Sequence, residues 1–288
     1  MNTIQLLLKK AWIPLLAVTV ISCDEKDHPS LGDYPSDPYA AGGVLKFYTA
    51  FDGTSADVLR NAVDSIKANF PLDNPLASVD GISGKAVKGA ASKDKAIKYG
   101  SANDFAQSTS WTIAYWMKNS PATDGEPEFH FSLPSTTDAY WHKSSLFLLV
   151  EKGGPDPGNS TAALMACKLA IEDSWVEFIG DNRLPNLLNG SWHHLAFTYD
   201  QTDSKVRAYV DGVLSKTLGP VMKGSSPRGA TPFANTGNFL IAGWNKHADV
   251  AGATDAWIHS YSGSMDQFRL YGKALTASEI LALFNSKL

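Results

Sequence analysis

The chain has 288 residues, with 25 Lys+Arg against 29 Asp+Glu and a formal net charge of -4. A composition that is 44% hydrophobic and 19% charged is that of an ordinary globular protein and excludes wholesale disorder; the mild acidity offers no basic face for nucleic acid. No apolar run approaches the roughly 20 residues that cross a bilayer as a helix, and two cysteines, Cys23 and Cys167, are too few for a disulfide-stapled mini-domain.

The first residues read as an address. Lys9 and Lys10 precede an apolar stretch from Ala11 to Ile21, too short for a membrane span and suited to the h-region of a secretory signal. Val20-Ile21-Ser22-Cys23 resembles a bacterial lipobox. The resemblance implies cleavage before Cys23 and acylation of its thiol; an ordinary signal with an incidental cysteine is the other reading. From Asp24 to Gly43 come five acidic residues, three Pro and three Gly, a composition that cannot bury a core and reads as an extended tether. Asp24-Glu25-Lys26-Asp27 resembles the surface-export signal of lipoproteins from glycan-foraging Gram-negative bacteria, which implies a lipid-anchored outer-membrane protein facing outward. Loss of residues 1–22 removes two lysines and moves the net charge from -4 to -6. The expected organisation is a signal over 1–22, an acylated cysteine and tether over 23–43, and one large domain over 44–288.

Within that domain the elements follow in order. Val58, Leu59, Ala62, Val63, Ile66 and Phe70 recur at helical spacing, which predicts a helix over 57–70 ended by Pro71. Trp111–Met117 and Leu146–Glu151 read as strands. Ala163–Leu169 is a strand-like run in which Cys167 reads as a small buried hydrophobe. Trp192–Tyr199 alternates, with His193, Leu195, Phe197 and Tyr199 on one face and Trp192, His194, Ala196 and Thr198 on the other. Val206–Val210 meets Asp211-Gly212 and then Val213–Thr217, the strongest short hairpin signal, because the turn needs positive φ at both central residues. Phe239–Gly243 and Met265–Tyr271 complete the clear strands. A second helix begins after Thr276, with Glu279 as its capping-box partner and Leu275 and Ile280 as a hydrophobic staple. Many spaced strands without βαβ alternation predict an all-β fold: an antiparallel two-sheet sandwich of jelly-roll type with one or two short helices.

Several strings, in order, resemble the concanavalin A-like lectin/glucanase superfamily in its laminin-G/pentraxin-like branch. They are Phe47–Gly53, Gly81–Val87, Ser110–Met117, Ser191–Asp200 with Val206–Gly212, and Gly263–Tyr271 with Ala274–Ile280. The resemblance implies that Trp116 faces inward. The segment from about Thr54 to Ala77 departs from the family as an insertion. Family members often hold a structural Ca²⁺ near the junction of first and last strands, and Asp52 and Asp266 occupy the matching positions. The alternative leaves Asp52 a turn residue and Asp266 a solvated strand residue.

Fold alone does not decide function. Glycanases of this fold place two or three carboxylates on one strand face, and no such string occurs here. Glu172 and Asp173 are adjacent and would point to opposite faces of a strand; Glu126 and Glu128 flank Pro127 in a loop-like stretch. His193 and His194 would likewise diverge, one packed and one at the surface. No nucleophile elbow or metalloprotease motif is present. Aromatic residues in loops favour sugar binding, because C–H faces of sugars stack on rings while hydroxyls need polar partners. Trp141, Trp244, Asn245, Trp257 and His259 are the candidate carbohydrate-binding residues. The preferred reading is a non-catalytic surface lipoprotein that binds glycans or glycoconjugates. A structural or adhesion component that packs on partner proteins, and a glycoside hydrolase with an unrecognised carboxylate pair, remain alternatives.

Overall fold

The computed structural model describes residues 42–70, 76–89, 95–120, 126–151, 164–230, 232–233 and 235–287. The expected signal, Cys23 and all but the last two residues of the tether lie outside the described residues.

Among the described residues the strands are β1 Leu45–Thr49, β2 Ala68–Asn69, β3 Ala77–Asp80, β4 Lys85–Lys88, β5 Ile97–Tyr99, β6 Trp111–Lys118, β7 Glu128–Leu133, β8 Leu146–Val150, β9 Leu164–Met165, β10 Cys167–Ile171, β11 Ser174–Phe178, β12 Leu184–Pro185, β13 Trp192–Asp200, β14 Lys205–Val210, β15 Val213–Leu218, β16 Met222–Lys223, β17 Ser226–Pro227, β18 Phe239–Ile241, β19 His259–Ser260 and β20 Ser264–Tyr271. Helix α1 follows at Ala277–Ser286. Two eight-stranded sheets form the body. The first runs β15-β14-β13-β6-β20-β4-β3, with β1 also paired to β20. The second runs β11-β10-β8-β7-β18-β5-β2, with β19 beside β7. The short β19–β7 contact is parallel, and the other pairings are antiparallel.

Period-two alternation fills the space between the sheets. Trp111, Ile113, Tyr115 and Met117 of β6 and Leu195, Phe197 and Tyr199 of β13 enter one core with Phe131, Leu148, Leu169 and Ile171 of the opposite sheet. Phe178 meets Phe197 across the interface at 5.4 Å between ring centroids. Burying each such side chain contributes about 1.5–3 kcal/mol. Cys167 belongs to this core, and burial pushes its thiol well above the usual range, so it is unreactive. His130, the polar intruder, is matched by the Tyr115 hydroxyl at 2.6 Å from Nδ1.

The outer face of the first sheet is also apolar, because α1 covers it. Leu275 and Ile280 pack on Ala114, Ala196 and Tyr209. Trp116 lies on this outer face, not inward: its ring stacks on Phe284 at 5.5 Å and meets His194 at 5.3 Å. Strand parity puts it there, one residue out of step with Tyr115 and Met117. The capping box is present as read, with the Glu279 N–H donating to Thr276 Oγ1 at 3.3 Å and the Thr276 N–H donating to Glu279 Oε2 at 2.8 Å.

The helix expected over 57–70 does not form. The segment is a series of turns followed by β2. Its polar groups are claimed by β1 instead: the Ala62 N–H donates to the Tyr48 carbonyl, and Asn61 Oδ1 accepts from the Tyr48 N–H. Ser65 takes a φ of 64°, which no α-helix tolerates. Both histidines of β13 are buried, so neither is a surface residue. His193 bonds Asp211 at 2.8 Å and Asn189 at 3.0 Å.

Candidate ligand-binding site

The outer face of the second sheet carries a second apolar layer. Phe129, Phe147, Leu149, Ala170, Trp244 and Ile258 form it. A bulge between Phe129 and Phe131 turns Phe129 outward while Phe131 stays in the core. This layer floors a cluster of rings. Trp141 sits in a short 3₁₀ turn, Trp141–Lys143, on the β7–β8 connection. Trp257 comes from the long excursion between β18 and β19, and its ring meets that of Trp141 edge to face at 5.6 Å. Trp175 projects from β11, 6.0 Å from Trp141. Phe147, Ala170 and Trp175 lie side by side on three strands; the small Ala170 lets the rings of Phe147 and Trp175 meet above it at 5.3 Å. Trp257 is 47% exposed, Trp175 39% and the neighbouring Tyr140 55%, while Trp141 is half-buried.

The loops that carry these rings are pinned by their own polar groups. Ser135 Oγ accepts from the Thr137 and Asp138 N–H groups, and Asp138 Oδ1 accepts from the Tyr140 N–H. The Thr136 N–H donates to the Asn235 carbonyl at 2.7 Å. Lys246 Nζ donates to the Asp255 carbonyl at 2.9 Å and ties the excursion to itself.

Of the five candidates read from sequence, the structure brings Trp141 and Trp257 together. Trp244 is wholly buried, 6.4 Å from Phe129, and is floor rather than platform. Asn245 is buried beside Val250 in an adjoining depression, and its Oδ1 has no hydrogen-bond partner. His259 is half-buried and bonded to Glu126.

Asp52 and Asp266 lie on the two sides of the β3–β4 turn. Asp266 Oδ2 accepts from the Ile82 N–H at 2.8 Å, and Asp52 Oδ1 accepts from the Lys85 N–H at 2.9 Å. Gly81 and Gly84 make the approach possible: a Cβ on either would stand 2.4 Å from the nearer carboxylate oxygen. Asp266 is not solvated. It is fully buried, Oδ1 has no partner, and burial pushes its carboxyl up to about 6, with the charge of Asp52 adding to the effect. Two hard carboxylates, one with an orphaned buried oxygen, fit Ca²⁺. Among the described residues no three His, Cys, Asp or Glu side chains could hold a metal together, so backbone carbonyls and water would complete the shell.

The family model described as the concanavalin A-like lectin/glucanases superfamily, a laminin-G model, matches residues 91–281. The chain belongs to that superfamily. Its laminin-G domain is 25% identical over 179 residues to "Sushi, von Willebrand factor type A, EGF and pentraxin domain-containing protein 1" of Rattus norvegicus, a match that covers 61% of this chain and 4% of that protein. The chain thus aligns with a small fraction of a far longer relative. Among solved structures, domain 4 of AbnA, an extracellular arabinanase from Geobacillus stearothermophilus in complex with arabinotriose, superposes with a TM-score of 0.54 at 18% identity, covering 83% of this chain and 97% of that one. The Trypanosoma rangeli sialidase superposes with a TM-score of 0.53 at 16% identity over 88% of this chain and 36% of the enzyme. These likenesses establish the fold.

In this laminin-G sandwich the carboxylates are taken up by neighbours. Glu172 and Asp173 do not point to opposite faces of a strand. They form the β10–β11 turn, and both reach the guanidinium of the buried Arg228, at 2.8 Å for Asp173. Glu128 opens β7 rather than lying in a loop, and accepts from the Ser262 hydroxyl. Trp175 is the ring that sequence reading missed. Its signal was there: Val176 and Phe178 face the core, so Trp175 shares the outer face with Glu177.

Proposed function

We propose that this sandwich binds a glycan or glycoconjugate without cleaving it, on the platform of Trp141, Trp175 and Trp257. The carrying observation is three partly exposed indoles, Trp141 touching both Trp175 and Trp257, above an apolar layer that is already filled. Exposed rings on a packed floor offer flat faces at little entropic cost. The arabinotriose complex of the arabinanase domain, which the match covers almost whole, supports a sugar as the ligand class. The non-catalytic reading rests on the acids weighed as pairs: among the described residues Glu172 and Asp173 are both held by Arg228, Glu126 by His259 and Glu128 by Ser262, so neither of these pairs stands ready as acid and base. Ca²⁺ held by Asp52 and Asp266 would stiffen the junction of β20 with the β3–β4 turn. Acylated Cys23 would tether the domain to the outer membrane, with the acidic segment giving reach.

The test is a glycan array probed with the mature chain, then with Trp175→Ala and Trp257→Ala. Loss of signal in both variants, with no release of reducing ends by the parent, is the expected result. Parent and variant profiles that coincide discard the platform, and sugar release discards the non-catalytic reading. Palmitate labelling that persists in Cys23→Ala would discard the anchor.

A further inference from the structure

Trp175, one ring of the platform, also walls a longer feature beside it. One depression of about 360 Å³ is lined by Thr136, Asp138, Asn238, Asn245 and Val250. A second, of about 520 Å³, is lined by Asp138, His142, Lys143, Asn235 and Trp175. A third, of about 370 Å³, lies between Trp175 and the Pro220–Met222 wall. Each alone has the size of a small-ligand pocket, roughly 300–1,000 Å³. They are not separate. Ser135, Thr137 and Asp138 wall both the first and the second; Asp173 and Trp175 wall both the second and the third.

We infer that the ligand is a linear, uncharged polysaccharide bound along its length, running from the Asn245 depression across Trp175 to Met222. The inference rests on the sugar-binding reading above and adds the shape and charge of the sugar. Linked depressions with shared walls accept linked units, whereas a single terminal sugar would use one of them. The wall chemistry is hydroxyl and amide: Ser135, Thr137, Asn235 and Asn245. The walls keep a small acidic excess. Arg228 is shared between Glu172 and Asp173, Lys168 between Glu151 and Glu177, and Lys143 stands in the same depression as Asp138. That excess disfavours an anionic sugar and leaves a neutral one as the fitting ligand. Asn245 marks the far end: a buried amide oxygen without a partner is costly, and a ligand hydroxyl would restore the missing donor.

The experiment is calorimetry of the mature chain with arabino-, xylo-, gluco- and manno-oligosaccharides of increasing length, each beside uronate-bearing oligomers. The expected result is affinity that rises at least tenfold from disaccharide to pentasaccharide for the neutral series that binds. Asn245→Ala should cut pentasaccharide affinity toward the disaccharide level while leaving the disaccharide unchanged. Met222→Ala, a surface change that leaves the core untouched, should do the same from the opposite end. Affinity that is flat with length, or stronger for the uronate series, overturns the groove while leaving sugar binding intact. Failure of every oligosaccharide to bind overturns both.

Discussion

Gly252 stands so close to Ala139 that a Cβ placed on it would lie 2.5 Å from the Ala139 Cβ and 2.9 Å from its carbonyl oxygen. The contact joins the excursion that carries Trp257 to the loop that carries Trp141. Its φ of 156° also disfavours a side chain. Gly252→Val should therefore part the two loops, at about 1–3 kcal/mol for the forced shift. The check is tryptophan fluorescence with acrylamide quenching: quenching should rise as the indoles separate. Unchanged quenching and an unchanged urea midpoint would show that the loops are not coupled here.

Trp175→Ala and Trp257→Ala should separate binding from stability. Both rings are substantially exposed, so each substitution should cost little in thermal stability. Each should weaken glycan binding tenfold or more, as truncation of a central aromatic anchor does. Trp244→Ala should behave in the opposite way. That ring is buried under the platform, so the protein should lose about 3–5 kcal/mol before binding is measured. A Trp244→Ala protein of parental stability would contradict this division into floor and platform.

What was legible in the sequence was local. The alternation of β13, the Asp211-Gly212 turn and the Thr276–Glu279 cap each depend on residues within a few positions of one another, and each lies where the sequence placed it. What was not legible depends on distant partners. The apolar spacing of 57–70 is real, but the carbonyls of Lys46 and Tyr48 claim Asn61 and Ala62 and hold the segment in turns. The facing of Trp116 was misread because both faces of β6 are apolar: one meets the opposite sheet, the other meets α1. Trp141 and Trp257 were legible as loop aromatics, but their contact was not, and Trp175 joins them only because β11 pairs with β10.

Calcium should raise the melting temperature of the EDTA-treated protein. Asp266 is a buried carboxylate with an orphaned oxygen that also feels the charge of Asp52, an arrangement that a divalent cation relieves. Asp266→Asn and Asp52→Asn should each abolish most of that rise, and Asp266→Asn should leave the calcium-free protein no less stable than the parent. Differential scanning calorimetry with and without millimolar Ca²⁺ decides it. The same calcium-induced shift in parent and both variants would place the ion elsewhere.

His194 should make the domain acid-sensitive. Burial, with Arg269 nearby, pushes its imidazole down to about 3, against an ordinary value of 6.5; Asp211 opposes this only weakly. Between those values the unfolded chain binds the proton and the folded chain does not. Stability is therefore full above pH 6.5 and falls on acidification, by up to about 1.4 kcal/mol per pH unit from this group. His194→Phe, which keeps an aromatic ring against Trp116, should flatten the parent's urea midpoint between pH 6 and 4. Parallel pH profiles for parent and variant would sink the assignment.

Arg228 should position Trp175. Its side chain is 1% exposed and its guanidinium meets Glu172, Asp173 and the Ser174 hydroxyl, the three residues directly before Trp175 in the chain. Asp173 is mostly exposed and Glu172 partly so, so the pairs are screened, and loss of the charged hydrogen bonds should cost about 1–3 kcal/mol rather than the full cost of breaking a buried ion pair. Lysine keeps the charge but cannot serve all three partners at once with a single ammonium group. Arg228→Lys should therefore retain most of the stability while weakening glycan binding severalfold, because the β10–β11 turn loses its fixed geometry. Arg228→Met should lose both. The informative measurement is the tryptophan near-ultraviolet circular dichroism of Arg228→Lys beside its affinity. A parental spectrum and parental affinity would leave Arg228 a purely structural clamp with no hold on the ring.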